Sequence, residues 1–187
     1  TLRDYSFVSV GDDPTVFTMH RLIRLTAHAW LKTHGRVEKW KAQFISNLCE
    51  VFPTGEYKNW RICRALFPHV KSALSQRPKS TSSLLKWAAI LYRGAWYAWQ
   101  VGNFADMREM ALRSTHERKE ILSYRDEETL TSTTMVAGAY FFEGRWVEAE
   151  QLQLEVMDTY RIWFGMDHPY TRMSIFCLAS IYREQGR

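Results

Sequence analysis

Polar and apolar residues alternate over 5–10, and β-branched and aromatic residues dominate 15–19. Both patterns are typical of short β-strands. The Gly-Asp-Asp-Pro sequence between them, at 11–14, favours a turn. The start of the chain is therefore predicted to form a β-hairpin.

Apolar residues then recur at three- and four-residue steps in three segments, which predicts three amphipathic helices. The segments cover residues 20–31, 37–51 and 59–67. Residues that interrupt helices close the segments in turn: Gly35, Pro53 and Pro68. Asn59 is expected to cap the third helix.

A polar segment follows at 75–83, in which Pro78 is the only apolar residue. Proline interrupts a helix, and the serines compete with the backbone for hydrogen bonds. We therefore predict a linker at 76–83, with Ser82 or Ser83 as the N-cap of the helix that begins near Leu84.

Beyond the linker, the sequence repeats itself at an offset of 42 residues. The positions that agree at this offset are Gly102, Gly144 and Gly186; Ala95, Ala137 and Ala179; and Tyr140 and Tyr182. A small residue lets two helices approach closely, and glycine adopts the left-handed conformation that ends a helix. The pattern predicts stacked helix-turn-helix units that form a solenoid.

The second helix of each unit is expected to begin at Phe104 or Trp146. Its apolar stripe in the second unit is predicted to consist of Val147, Leu152, Leu154, Val156, Tyr160 and Trp163.

The motif Ala-x-x-Tyr-x-x-x-Gly-Arg-Trp-x-x-Ala at 137–149 resembles the tetratricopeptide repeat (TPR), in its long form of 42 residues found in kinesin light chains. The sequence Gly-Met-Asp-His-Pro-Tyr-Thr at 165–171 is similar to the inter-repeat loop of that form. The first unit departs from the pattern, with Ala98 for an aromatic residue and Met107 for alanine. The resemblance implies an all-α TPR superhelix.

The predicted repeats cover 84–125, 126–167 and, in part, 168–187. A winged-helix remnant and helical connector are predicted before them, at 1–75. The chain begins with Thr1 and stops within the third repeat. We therefore expect it to be a piece of a longer protein in which further repeats follow.

The sequence Phe-Thr-Met-His-Arg-Leu-Ile at 17–23 resembles the end of the winged-helix subdomain in NB-ARC signal-transduction ATPases of the STAND class. The run from Asn59 to His69 is similar to the connector of fungal, NLR-like members. The resemblance implies that His20 senses nucleotide in the full-length protein. Arg21 stands where that motif has aspartate, and a simple capping or packing role is the alternative for His20.

The composition narrows the chemistry further. The chain has 187 residues, 46% of them hydrophobic, and its longest apolar run, at 87–92, is far below the ~18 residues of a membrane span. No phosphate loop or nucleophile elbow occurs, so we predict no enzyme activity and no cofactor. The well-separated Cys49, Cys63 and Cys177 are expected to be reduced thiols of a cytoplasmic protein, without a metal site.

Charge divides the chain into two parts. Residues 1–80 contain 13 Lys and Arg against 6 Asp and Glu, whereas 81–187 contain 12 against 14. Six basic residues of the first part form a candidate basic face: Arg21, Arg24, Lys32, Arg36, Lys39 and Lys41. A net charge of +7 over 80 residues is modest, so a solvated face or a face that docks on an acidic domain is favoured over nucleic-acid binding.

In TPR arrays, the first helices line a concave groove that holds a peptide or a partner's helix. The resemblance places seven residues at groove positions: Tyr92, Trp96, Trp99, Thr134, Phe141, Phe176 and Arg183. Packing against the preceding helix is the alternative for each aromatic residue.

The sequence thus predicts a protein–protein interaction scaffold, the ligand-recognition region of a STAND-type signalling NTPase. Its expected partners are a protein or peptide in the groove and the NB-ARC domain of the same chain. One alternative is a cargo or adaptor module like a kinesin light chain. Another is an enzyme whose catalytic domain lies outside this piece.

Overall fold

The computed structural model describes residues 7–10 and 17–187, and most of them are helical. The predicted fold class, all-α apart from one hairpin, is confirmed. The chain divides into two compact units, 1–43 and 44–187. We describe each unit by itself.

The first unit contains the predicted hairpin. Strands β1 (Val8–Val10) and β2 (Phe17–Met19) are antiparallel, with Ser9 opposite Thr18. The hydroxyl oxygens of this pair lie 2.7 Å apart. The predicted turn at 11–14 and the strand ends beside it lie outside the described residues.

Two helices follow the hairpin. Helix α1 (Arg21–Thr33) ends before Gly35, whose φ of 63° is the conformation expected of a helix-breaking glycine. Helix α2 (Val37–Val51) ends before Pro53, as predicted, and the boundary between the two units falls within it. No residue of α1 is fully buried.

The second unit continues through a short 3₁₀ turn at Tyr57–Asn59 into helix α3 (Trp60–Leu74). The prediction that Pro68 ends this helix is wrong, because α3 runs through it. An interior proline costs about 3 kcal/mol. The residues beyond it offset this cost, since Val70 is fully buried and the Ala73 carbonyl accepts a 2.7 Å hydrogen bond from the Trp87 indole.

Helix α4 (Thr81–Gln100) begins earlier than predicted. Its N-cap is Ser80, whose hydroxyl accepts a hydrogen bond from the Ser83 backbone N–H at 3.3 Å, so neither Ser82 nor Ser83 is the cap. Asn59 precedes α3 as predicted. Its side chain, however, donates to the Thr54 carbonyl at 3.0 Å and makes no capping hydrogen bond to α3.

In the region of the predicted repeats, each helix packs against the next along the chain. The bounds of the repeats stay a prediction. After α4, the helices are α5 (Phe104–Ile121), α6 (Glu127–Phe142), α7 (Trp146–Phe164) and α8 (Pro169–Glu184). The second helices begin at Phe104 and Trp146, as predicted. The glycines before them have φ of 76° and 75°, so the turns repeat closely.

Two of the three predicted alanine positions are buried, Ala95 and Ala137, whereas Ala179 on α8 is exposed. The predicted stripe on α7 is only partly correct. Val147 is 62% exposed and Trp163 is 40% exposed, whereas Val156 and Tyr160 are buried. Gln153 is buried as well, and its amide donates to the Ser174 carbonyl at 3.3 Å.

Candidate partner-binding groove

A groove of about 430 Å³ crosses the first helices of the three repeats, α4, α6 and α8. The second helices contribute three residues to its lining: Met107 on α5, and Gln153 and Tyr160 on α7. The contributors from the first helices include Tyr92, Trp99, Thr131, Thr134, Met135, Gly138, Phe141, Tyr170, Met173, Phe176, Cys177 and Ser180.

The depth of the groove follows from one position of the repeat. Where the first repeat has Trp96, the second has Gly138 and the third has Ser180. A Cβ atom placed on Gly138 would lie 3.3 Å from the Met107 methyl carbon, so an indole there would fill the space. The groove therefore opens where two small side chains replace a large one.

Five of the seven predicted groove residues come together in the lining: Tyr92, Trp99, Thr134, Phe141 and Phe176. The other two lie outside it. Trp96 makes an edge-to-face contact with Tyr92, and the Arg183 guanidinium pairs with Glu184 at 3.0 Å. The partner-binding role of all seven residues stays a prediction.

Large apolar side chains on α8 are open to solvent in this groove. Phe176 is 68% exposed and Met173 is 61% exposed, while Tyr170 is 44% exposed. Of these three, only Phe176 is among the predicted groove residues. Met173 occupies the register of Thr131, one helical turn before the Thr134 and Phe176 position, so extending the groove register by one turn would have found it.

A buried arginine adjoins the groove at Tyr92. Arg118 is 4% exposed, and its guanidinium carbon lies 5.1 Å from the centre of the Tyr92 ring. It donates to the Glu128 carbonyl at 2.8 Å and to the Ser132 hydroxyl. Burial lowers the pKa of Arg118, and burial raises the pKa of Tyr92 against the opposing effect of the Arg118 charge.

Burial also raises the pKa of two other groups in the lining. It raises the pKa of Tyr160 to about 12 and raises the pKa of the Cys177 thiol. Both groups are therefore neutral near pH 7. Among the described residues that line the groove, none carries a formal charge at that pH, so the groove offers apolar contact and neutral hydrogen bonds.

His20 lies in the other unit, where it is the N-cap of α1. Its Nδ1 accepts a hydrogen bond from the Leu22 backbone N–H at 3.3 Å, and its own backbone N–H donates to the Phe7 carbonyl at 3.1 Å. This contact matches the capping alternative of the sequence analysis. The nucleotide-sensing role in the full-length protein stays a prediction.

The six residues of the candidate basic face lie on α1, on α2 and in the turn between them. Arg21, Arg24 and Lys32 are exposed, and Lys41 pairs with Glu38 at 2.9 Å. Within residues 7–10 and 17–187, no three His, Cys, Asp or Glu side chains form a group that could hold a metal ion. The helices in that same part of the chain are too short or too polar to span a membrane.

Comparison with known proteins finds a similar protein and a similar solved structure. No family model matches the chain. A nucleotide-binding leucine-rich repeat (NLR)-like protein of Hyaloscypha variabilis is 28% identical over 132 residues. The matched stretch covers 71% of this chain and 13% of that relative. The predicted resemblance to NLR-like proteins is confirmed by this relative.

A solved structure also aligns with most of the chain. It is a crystal structure of nearly identical TPR-like repeats assigned to a kinesin light chain of Podospora anserina. Its TM-score is 0.49 at 16% identity, and the alignment covers 90% of each chain.

Proposed function

We propose that this chain is a protein–protein interaction scaffold whose groove holds a protein or peptide partner. The observation that carries the proposal is the solvent-open apolar lining of α8, where Phe176 is 68% exposed and Met173 is 61% exposed. Large apolar side chains that converge on a concave surface are typical of binding sites.

We further propose that the chain is the ligand-recognition region of a STAND-type signalling NTPase in the cytoplasm. The similarity to an NLR-like protein supports this role. In it, the groove senses the partner, and an NB-ARC domain elsewhere in the same protein responds. We propose no reaction for the groove itself, since none of its described lining residues is a nucleophile paired with a basic side chain.

The groove can be tested in the full-length protein by site-specific photocrosslinking in its own cells. A benzophenone side chain replaces Met173 in the groove, or Val147 on α7 as the control, since the two residues are 61% and 62% exposed. We expect a polypeptide adduct from position 173 that position 147 does not give. Equal adducts at both positions, or none at 173, would contradict the proposal.

The role of His20 requires a separate test, because its capping contact is structural. His20→Asn keeps an N-cap acceptor, whereas His20→Ala removes it. We expect both variants of the full-length protein to release ADP faster than the native protein. If His20→Asn releases ADP at the native rate, the histidine acts as a cap alone. If the native full-length protein binds no ADP, an adaptor without a nucleotide switch becomes the favoured function.

A further inference from the structure

We infer that the occupant of the groove is an amphipathic α-helix whose inserted face carries no charge. This inference rests on the proposed function and specifies the partner's chemistry at the same site. Three features of the lining support it: its charge, the state of its hydroxyl groups and its shape.

The charge of the lining excludes ionised side chains from the inserted face. Among the described residues that line the groove, none is Asp, Glu, Lys, Arg or His. A charged partner side chain would lose its hydration there and meet no counter-ion among the described lining residues, which is costly. The complementary surface is uncharged and apolar.

Three hydroxyl groups on the first helices of the lining offer no donor to an extended peptide. Such a peptide brings backbone N–H and C=O groups that need partners, whereas a helix satisfies most of its own. Three lining hydroxyls already donate to carbonyls of their own helices: Thr131 to Glu128 at 2.9 Å, Thr134 to Leu130 at 3.1 Å and Ser180 to Phe176 at 3.0 Å. Their protons are not free for the carbonyls of a strand.

The shape of the lining suits bulky side chains at helical spacing. The small residues Gly138 and Ser180 leave depth in the centre, and aromatic rings such as Phe141 and Phe176 stand around it. Three methionines, Met107, Met135 and Met173, add flexible thioethers that repack around different aliphatic side chains. A helix presents such anchors at i, i+3 or i+4, and i+7.

The probe is a random library of displayed peptides about 16 residues long, roughly four helical turns, selected against the 187-residue chain. We expect the enriched peptides to repeat apolar residues at helical spacing, with no charge on that face. A proline in the middle of such a peptide should weaken binding by about tenfold or more, because it breaks the helix.

Variants of the chain locate the binding. Met173→Glu should lower the affinity for the enriched peptides by about tenfold or more. Val147→Glu, at an equally exposed residue, should leave this affinity unchanged. Phe176→Ala and Ile162→Ala form a second pair, 68% and 73% exposed, in which only Phe176 lines the groove. Because all four side chains are exposed, circular dichroism should show native helix content in each variant.

The two proposals fail in different ways. If the peptides depend on Met173 but alternate apolar residues every second position, carry acidic residues or tolerate proline, the helix inference is overturned and the interaction groove stands. If the enriched peptides bind the Met173→Glu variant as tightly as the native chain, or if no peptide is enriched, both proposals are overturned.

Discussion

Arg118 contacts Glu128 across the junction of the first two repeats, with 3.1 Å between its Nη2 and the carboxylate Oε2. The residues 42 positions later are Tyr160 and Tyr170, whose ring centres lie 5.4 Å apart. The same contact between consecutive repeats is thus an ion pair at one junction and an aromatic pair at the next.

The first prediction concerns this junction. Arg118→Ala should lower the free energy of unfolding by about 2–4 kcal/mol, because it leaves a cavity and removes the donor to the Glu128 carbonyl and the Ser132 hydroxyl. Glu128→Gln should cost less than about 1 kcal/mol, since that side chain is 60% exposed. Urea denaturation measures both. Equal losses would show that the carboxylate, rather than the two neutral acceptors, is the important partner.

A second prediction compares two helical glycines. Gly94→Ala should destabilise the chain by about 1–3 kcal/mol, because a Cβ there would lie 2.7 Å from the Val70 side chain and 2.8 Å from the Met110 sulfur. Gly138→Ala should be neutral or stabilising by up to about 1 kcal/mol, because alanine favours a helix and only the flexible end of Met107 must move.

Thermal unfolding of the two alanine variants, side by side with the native chain, tests this contrast. A large loss of stability for Gly138→Ala would mean that the Met107 side chain is held rigidly and cannot move away from the new methyl group.

The third prediction is a pH dependence. Burial raises the pKa of Tyr160 to about 12, whereas a phenol in the unfolded chain ionises near pH 10. Below about pH 10 both states are protonated and the stability is unaffected. Between about pH 10 and 12 the unfolded state loses its proton first, so stability falls by up to ~1.4 kcal/mol per pH unit.

Urea denaturation from about pH 8 to about pH 11.5 spans this fall. Tyr160→Phe should remove the Tyr160 share of it, whereas Tyr57→Phe, at a ring that is 82% exposed, should leave the profile unchanged. Identical profiles for the native chain and Tyr160→Phe would contradict the assignment.

The fourth prediction separates groove from core. Trp99, 40% exposed, and Phe141, half-buried, both line the groove. The double variant Trp99→Ala with Phe141→Ala should keep its helix content and lose about tenfold or more in affinity for the peptides selected above. Circular dichroism measures the helix content, and fluorescence titration measures the affinity for the peptides. Loss of folding instead would assign both rings to the core.

The repeat architecture was predictable because it rests on local rules that recur. A glycine with positive φ ends each first helix, and a second helix starts two residues later at Phe104 and Trp146. Buried alanines such as Ala137 set the close approach of the helices. These requirements involve a few neighbouring residues each, so a single sequence displays them.

Other features depended on packing between distant segments. The continuation of α3 through Pro68 depends on Val70 and on the contact between Ala73 and Trp87, which local propensity does not contain. Whether Trp96 lines the groove depends on the rings beside it. Spacing places Met173 in the groove register, but the 61% exposure of its side chain depends on the packing around α8. Tertiary burial decided each of these cases.

The groove and the packing of the repeats depend on adjacent positions of the same helices. Ala95, Ala137 and Ala179 repeat without change, whereas the next residues along are Trp96, Gly138 and Ser180. The buried Ala95 and Ala137 set the close approach of the helices, whereas the residues that follow the three alanines shape the groove. A mutation at Trp96 or Gly138 can therefore change the shape of the groove while the buried alanine beside it, which sets the helix spacing, stays unchanged.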